Sequence, residues 1–296
     1  MKNVLEAIGN TPIISLDEFV GGKCFAKMEF LNPSGSIKDR IALKMLEDAI
    51  ENKELRPGME IIEATSGNTG IALSMVASQL GYPLTIVMPE NMSIERQKLM
   101  KAFGTKVILT DAKLSVEGSV NKAKELQAKY NYYMPMQFEN KSNVFAQQQT
   151  AIEALNQINQ KVDIFISGIG SGGTLQGFAN ILLKNNPDCK IIAVEPKGAS
   201  ALKNDPVKTH AIQGIGDCFI PEILNPNIVN EIIEVSDEDA INTTKELARE
   251  CGLLCGISSG ANLYGARIAA KKYGKDKVIL TVLADRLERY LSEYDF

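Results

Sequence analysis

Short apolar runs alternate with helix-period segments along most of this chain, and a brief turn separates each from the next. Ile61-Ile62-Glu63-Ala64 reads as a strand, and Ile71, Leu73, Val76, Ala77 and Leu80 recur at helical spacing until Gly81 stops them. Leu84 to Met88 is the next strand, ended by Pro89. A helix from about Ser93 to Gly104 follows, then Val107-Ile108-Leu109, then a helix from Ser115 to Tyr130. Further along come a helix from Asn143 to Gln160 and strands at Val162–Ile166, Ile191–Val194, Ile232–Val235 and Val278–Leu283. Strands alternating with helices across short connections predict an α/β protein with parallel sheet. Near the N-terminus, Ile13–Leu16 and Lys23–Phe30 are expected as strands, and Met134–Phe138 as a strand or extended piece.

Composition narrows the function. The 296 residues allow two domains, and with no repeat or low-complexity linker these must share a chain that crosses between them. The net charge of -4 offers no basic field for nucleic acid or an anionic membrane. No apolar run approaches the ~18 residues that span a bilayer. Met1 to Glu6 opens no long apolar segment, so a cytoplasmic protein is expected. Five scattered cysteines (Cys24, Cys189, Cys218, Cys251, Cys255) read as free thiols, and with a single histidine, His210, no metal site is expected.

Three loops carry the chemistry. In Asn32-Pro33-Ser34-Gly35-Ser36-Ile37-Lys38-Asp39-Arg40, Lys38 stands where a turn runs into a helix. Burial there lowers a lysine's pKa, and the neutral amine condenses with aldehydes or removes protons. Thr65-Ser66-Gly67-Asn68-Thr69-Gly70 joins a strand to a helix. Its outward backbone N–H groups and neutral side-chain donors suit a carboxylate. The Gly168-Ile169-Gly170-Ser171-Gly172-Gly173-Thr174 loop has the same setting and suits a phosphate. It also satisfies the dinucleotide pattern, with Glu195 as the acidic residue about 22 positions on, so a nicotinamide oxidoreductase is an alternative. One lysine, one carboxylate cradle and one phosphate cradle together describe pyridoxal 5'-phosphate with an amino-acid substrate.

The chain resembles the cysteine synthase (O-acetylserine sulfhydrylase) and cystathionine β-synthase family, pyridoxal-phosphate enzymes of the tryptophan-synthase-β type. The matching runs are Ile8–Pro12, Asn32–Arg40, Thr65–Gly70, Met88–Arg96, Gln137-Phe138, Gly168–Thr174, Gln213–Gly216 and Gly256–Gly260. They follow family order over nearly the whole length. The resemblance implies fold type II: two open, mostly parallel sheets flanked by helices, residues 1–39 and 142–296 forming the large cofactor domain and 40–141 a small mobile one. It implies that Lys38 bonds the cofactor and moves the α-proton. Asn68 meets the cofactor's 3′-oxygen, and Gly170, Ser171, Gly172, Gly173 and Thr174 hold its phosphate. Thr65, Ser66, Thr69 and Gln137 bind the substrate carboxylate, and the Gly216 loop lies near the substrate. The implied reaction is β-replacement through an aminoacrylate, making L-cysteine from O-acetyl-L-serine and sulfide. The small domain closes to exclude water. A homodimer and a docking serine acetyltransferase tail are also implied.

Two stretches depart from the family pattern. Asp285-Arg286-Leu287-Glu288-Arg289-Tyr290 stands where relatives carry a small hydroxyl residue and a glycine after the first position. Arg286 is therefore expected to donate to the cofactor's ring nitrogen. Asp217-Cys218 replaces a small pair after Gly214-Ile215-Gly216. Asp217 is expected to bias the enzyme toward another amino acid, cysteine above all, with release of hydrogen sulfide. Cystathionine formation is a third reading, and a catalytically silent partner-binding module is the alternative outside enzymes.

Overall fold

A computed structural model describes residues 1–296 except Ser66, Val207, Lys208, Cys218, Glu293, Asp295 and Phe296, and except the side chains of Ser115 and Val116. In chain order the elements are β1 (Ile13–Ser15), α1 (Asp17–Val20), β2 (Cys24–Met28), α2 (Lys38–Glu51), β3 (Ile61–Ala64) and α3 (Asn68–Leu80). Next come β4 (Leu84–Pro89), α4 (Ile94–Ala102), β5 (Lys106–Thr110), α5 (Ser115–Tyr130), α6 (Lys141–Ile158) and β6 (Ile164–Gly168). The last are α7 (Gly173–Asn185), β7 (Lys190–Pro196), β8 (Glu231–Val235), α8 (Asp237–Cys251), α9 (Ile257–Tyr273) and β9 (Ile279–Leu283).

Among the described residues the larger sheet runs β1-β2-β9-β6-β7-β8 and the smaller β3-β4-β5. Every pairing is parallel except β1 with β2. The chain leaves the larger sheet after β2, builds the smaller one, and returns through α6, which packs on both α2 and α7.

Helices cover both faces of the larger sheet, and the side chains sort accordingly. Ile164, Ile166, Ile192, Val194 and Ile279 point into a core shared with Ala261, Ala266 and Ala269 of α9. Their alternates Phe165, Ile191, Ala193 and Leu280 point to the other side, against Ala151 of α6 and Leu175 and Phe178 of α7. Phe165 and Phe178 stack with centroids 4.3 Å apart. Burial on both faces is why these strands read as unbroken apolar runs rather than alternating ones. The smaller sheet repeats the arrangement, with Ile61 and Ile86 facing α2 and α3 while Ile62 and Val87 face α5.

Three local expectations change. The strand predicted over Lys23–Phe30 ends at Met28, where a 3-10 turn, Glu29–Leu31, takes over because buried Glu29 turns inward to Arg40. The short helix α1, not expected from the sequence, fills the turn between β1 and β2 and is closed by left-handed Gly21. Of Met134–Phe138, nothing becomes strand. Only Tyr133 bridges to Ile61, and Met136 takes a positive φ of 56°, which breaks extension. No helix among the described residues is long and apolar enough to cross a membrane.

Candidate active site

The carboxyl ends of β3, β6 and β9 open onto one cavity of about 480 Å³ between the two sheets. Ligands of open parallel sheets collect at such strand ends. All three chemistry-bearing loops meet here, although the Gly168–Thr174 loop lies far along the chain from the other two.

Lys38 is the first residue of α2 and lines the cavity. Its Nζ donates to Ser171 Oγ at 3.2 Å. Burial lowers its pKa, and the negative charges of Asp217 and Asp285 offset part of that shift. The turn before it is pinned by Asp39, which accepts from the Ser34 backbone N–H at 2.6 Å and from the Ser34 hydroxyl. Burial pushes the Asp39 carboxyl up to about 6, against the pull of these hydrogen bonds.

The glycine loop ends at Gly172, the N-cap of α7, so its backbone amides and the positive end of a 13-residue helix face the cavity. Gly170 and Gly173 are required by close approach. A Cβ at Gly170 would overlap the Gly214 carbonyl oxygen, and one at Gly173 would overlap Asn143 Oδ1. Asn143 is a residue that loop-by-loop reading missed. Its Nδ2 donates to Ser171 Oγ at 3.0 Å and to Gln137 O at 2.8 Å, so it ties the phosphate loop to the opposite wall.

That opposite wall is the Thr65–Gly70 loop. Thr69 Oγ1 donates to Gln137 Oε1 at 2.7 Å, pairing two residues expected at a substrate carboxylate. Thr65 lines the same wall, and Ser66 lies outside the described residues. Asn68 opens α3 and reaches the cavity. The irregular stretch that carries Gln137 is held by Glu63, which accepts from the Met136 N–H at 2.8 Å and the Ala64 N–H at 3.1 Å. Burial pushes the Glu63 carboxyl up to about 7 despite these bonds. Between its ordinary value, near 4.5, and about 7, the folded protein keeps a proton that the unfolded chain has released. Stability from this group is therefore greatest below pH 4.5 and declines until about 7, by at most about 3 kcal/mol. In urea unfolding, the stability of Glu63→Gln relative to wild type should improve between pH 5 and pH 7.5. An unchanged difference would show an ordinary carboxylate.

Gly216 and Asp217 line the cavity beside the loop. The single histidine contacts Gly216, with His210 Nε2 3.1 Å from Gly216 O. Burial raises the Asp217 carboxyl, while the charges of Lys38 and His210 draw it down. Cys218 lies outside the described residues.

Arg286 corrects the sequence reading. Its Nε donates to the Phe30 carbonyl at 3.0 Å, and it takes no part in the cavity wall. A long side chain leaving the end of β9 reaches back over β2's exit instead of turning inward. The cavity wall there is supplied by Ser258, in the first turn of α9. Its sequence signal is the Gly256-Ile257-Ser258-Ser259-Gly260 run. Glu195, the acidic residue of the dinucleotide reading, is buried and accepts from the Ser200 hydroxyl and from the Ala201 N–H at 2.9 Å. It is not part of the cavity wall.

The donor set fits a phosphorylated aldehyde. A helix N-terminus whose glycines admit no Cβ lies against the amine of Lys38, and the neutral hydroxyl and amide pair lies across from it.

Comparisons with known proteins agree with this geometry. Residues 4–285 match the model of the family described as pyridoxal-phosphate dependent enzyme. The cysteine synthase B of Campylobacter jejuni is 50% identical over 293 residues, covering 98% of this chain and 97% of its own. The structure of the cysteine synthase of Entamoeba histolytica superposes with a TM-score of 0.95 at 38% identity, over 99% of this chain and 90% of that one. A hydrogen sulfide-producing enzyme of Fusobacterium nucleatum gives a TM-score of 0.93 at 39% identity, over 98% of each chain. With its lysine, anion loops and two-sheet frame in place, this chain belongs to the pyridoxal-phosphate dependent enzymes, in the cysteine synthase family.

Proposed function

We propose that the enzyme makes L-cysteine and acetate from O-acetyl-L-serine and sulfide. The observation that carries this reading is the position of Lys38 Nζ, between the Ser171 loop and the Thr69–Gln137 pair in one cavity. Pyridoxal phosphate, when bound, supplies an electron sink for the substrate's α-carbon. The chain's own residues do the rest. Thr65, Ser66, Thr69 and Gln137 hold the substrate carboxylate, and the amides of Gly170 to Thr174 hold the cofactor's phosphate. Ser258, which lines the cavity where Arg286 does not, would hold the cofactor's ring. Lys38 takes the α-proton and returns it, a task suited to an amine whose pKa is lowered by burial. Residues 40–141 act as the mobile unit that closes over the substrate and excludes water. The same reading makes the enzyme a cytoplasmic homodimer able to receive a serine acetyltransferase tail.

One observation favours a second reaction. Asp217 places a carboxylate in the cavity, close enough to Lys38 for each charge to act on the other. A carboxylate there can take a proton from water, so that cysteine and water give serine and hydrogen sulfide.

A substrate panel separates the readings: O-acetylserine with sulfide, O-acetylserine with homocysteine, and cysteine alone. Cysteine formation is expected to be fastest. Asp217→Asn should lower sulfide release from cysteine about tenfold or more while leaving cysteine synthesis within about twofold. No cysteine from the first mixture would overturn the main reading. Equal loss of both activities would overturn the role of Asp217.

A further inference from the structure

Asn68 is held from behind by a segment far away in sequence. Arg289 Nη1 donates to Asn68 Oδ1, and Asn68 Nδ2 donates to Asp285 Oδ2 at 2.6 Å. Asp285 Oδ2 also accepts from the buried hydroxyl of Tyr290. The second arm of the Arg289 guanidinium donates to Ser34 O, in the turn that leads to Lys38. One buried cation thus bridges the lysine turn, which follows β2 of the larger sheet, and the first residue of α3, which follows β3 of the smaller one.

We propose that Arg289 and Asp285 are positioning residues that fix the Asn68 amide so that it presents an N–H, not its oxygen, to the cofactor's 3′-oxygen. A guanidinium only donates and an ionised carboxylate only accepts. The amide oxygen must therefore face Arg289 and the amide nitrogen Asp285. A flipped amide would set N–H against guanidinium and oxygen against carboxylate. An amide nitrogen carries two N–H groups. Asp285 uses one, and the other remains for the cavity that Asn68 lines. A donor aimed at the 3′-oxygen stabilises its anionic form and so shifts the pH at which the bound cofactor changes colour. The inference rests on the cofactor reading above.

The test compares wild type, Asn68→Ala, Arg289→Lys, Asp285→Asn and the Asn68→Ala/Arg289→Lys double variant as purified holoenzymes. Lysine keeps the charge but cannot span Ser34 O and Asn68 Oδ1 together. The pH titration of the visible absorbance band and the dissociation constant of pyridoxal phosphate are measured for each, with circular dichroism as a check on folding. Arg289→Lys and Asp285→Asn should each shift the band's pH midpoint in the direction that Asn68→Ala shifts it. Each should also weaken cofactor binding about tenfold, the scale of a hydrogen bond to a charged group. Because the bond to Ser34 O serves to hold the guanidinium in place and Arg289 reaches the cofactor only through Asn68, the double variant should bind within about twofold of Asn68→Ala alone. Folded Arg289→Lys and Asp285→Asn proteins with the wild-type midpoint and affinity would overturn the inference, as would a double variant that multiplies the two losses. Should Arg289→Lys fail to fold, the midpoint of Asp285→Asn decides alone. A wild-type protein without a visible band would overturn the cofactor reading as well, so the two failures look different.

Discussion

Lys38→Ala should lower turnover about 10⁴-fold, the upper range for loss of a general base. The fold should be unchanged. Lys38 is the first residue of α2, and the buried face of that helix is made further along by Ile41, Ala42, Met45, Leu46 and Ala49. Alanine is also the best helix former. The Ser171 hydroxyl loses the lysine but keeps Asn143, and Asn68 is held by Asp285 and Arg289, so pyridoxal phosphate should still bind, though without a covalent bond. Borohydride followed by peptide mapping should fix the cofactor to residue 38 in wild type and nowhere in the variant. Methylamine should restore part of the rate if the missing function is proton transfer by an amine. Turnover within about tenfold of wild type would place the proton-transferring group elsewhere, since a positioned base contributes at least about 10²-fold.

Parts of this site were legible in sequence because the chemistry there is local. Lys38 and the two glycine-rich loops each sit where a turn or strand meets a helix, so composition and period alone place them. Phe165 and Leu280 were legible for another reason: strands covered on both faces need no polar alternation. What stayed hidden is assembled across the chain. Asn143, Glu63 and Arg289 are ordinary polar residues in their own segments, and only the fold brings them to Ser171, Met136 and Asn68. Arg286 misled because its place in the family pattern was read as its direction. A longer side chain at the same position found the carbonyl of Phe30 instead. The Ile8–Pro12 run matched the family without an evident purpose, and its purpose also lies at a distance. Gly9 N donates to Asn32 Oδ1 at 2.9 Å, and Thr11 Oγ1 donates to Glu29 Oε1 at 2.6 Å. The run is one wall of a buried charge cluster.

That cluster carries the largest expected effect on stability. Arg40, two residues after Lys38, grips two carboxylates with two edges of its guanidinium. Glu29 accepts at 2.7 and 2.9 Å, and Glu153 at 2.8 and 2.7 Å. Lys27, fully buried on β2, lies 3.2 Å from Glu153 Oε2 and also donates to Thr11 O and to Gln157 Oε1. Burial lowers the Lys27 pKa, and Glu153 and Glu29 draw it back up. Two cations face two anions, so the cluster is neutral as a whole and its lone pairs are met. Such a cluster adds little over an apolar core of equal volume, but removing one member strands the others. Arg40→Met should therefore cost about 3–5 kcal/mol in urea unfolding, because Glu29 is left buried beside a neutral side chain. The double change Arg40→Met with Glu29→Gln should cost less than the sum of the two singles, since it removes an opposite pair together. A loss below about 1 kcal/mol for Arg40→Met would mean that water reaches Glu29 and the cluster behaves as a surface pair. The variant that folds should also turn over more slowly, because this guanidinium ties the first turn of α2, which carries Lys38, to the Glu29 turn after β2 and to α6.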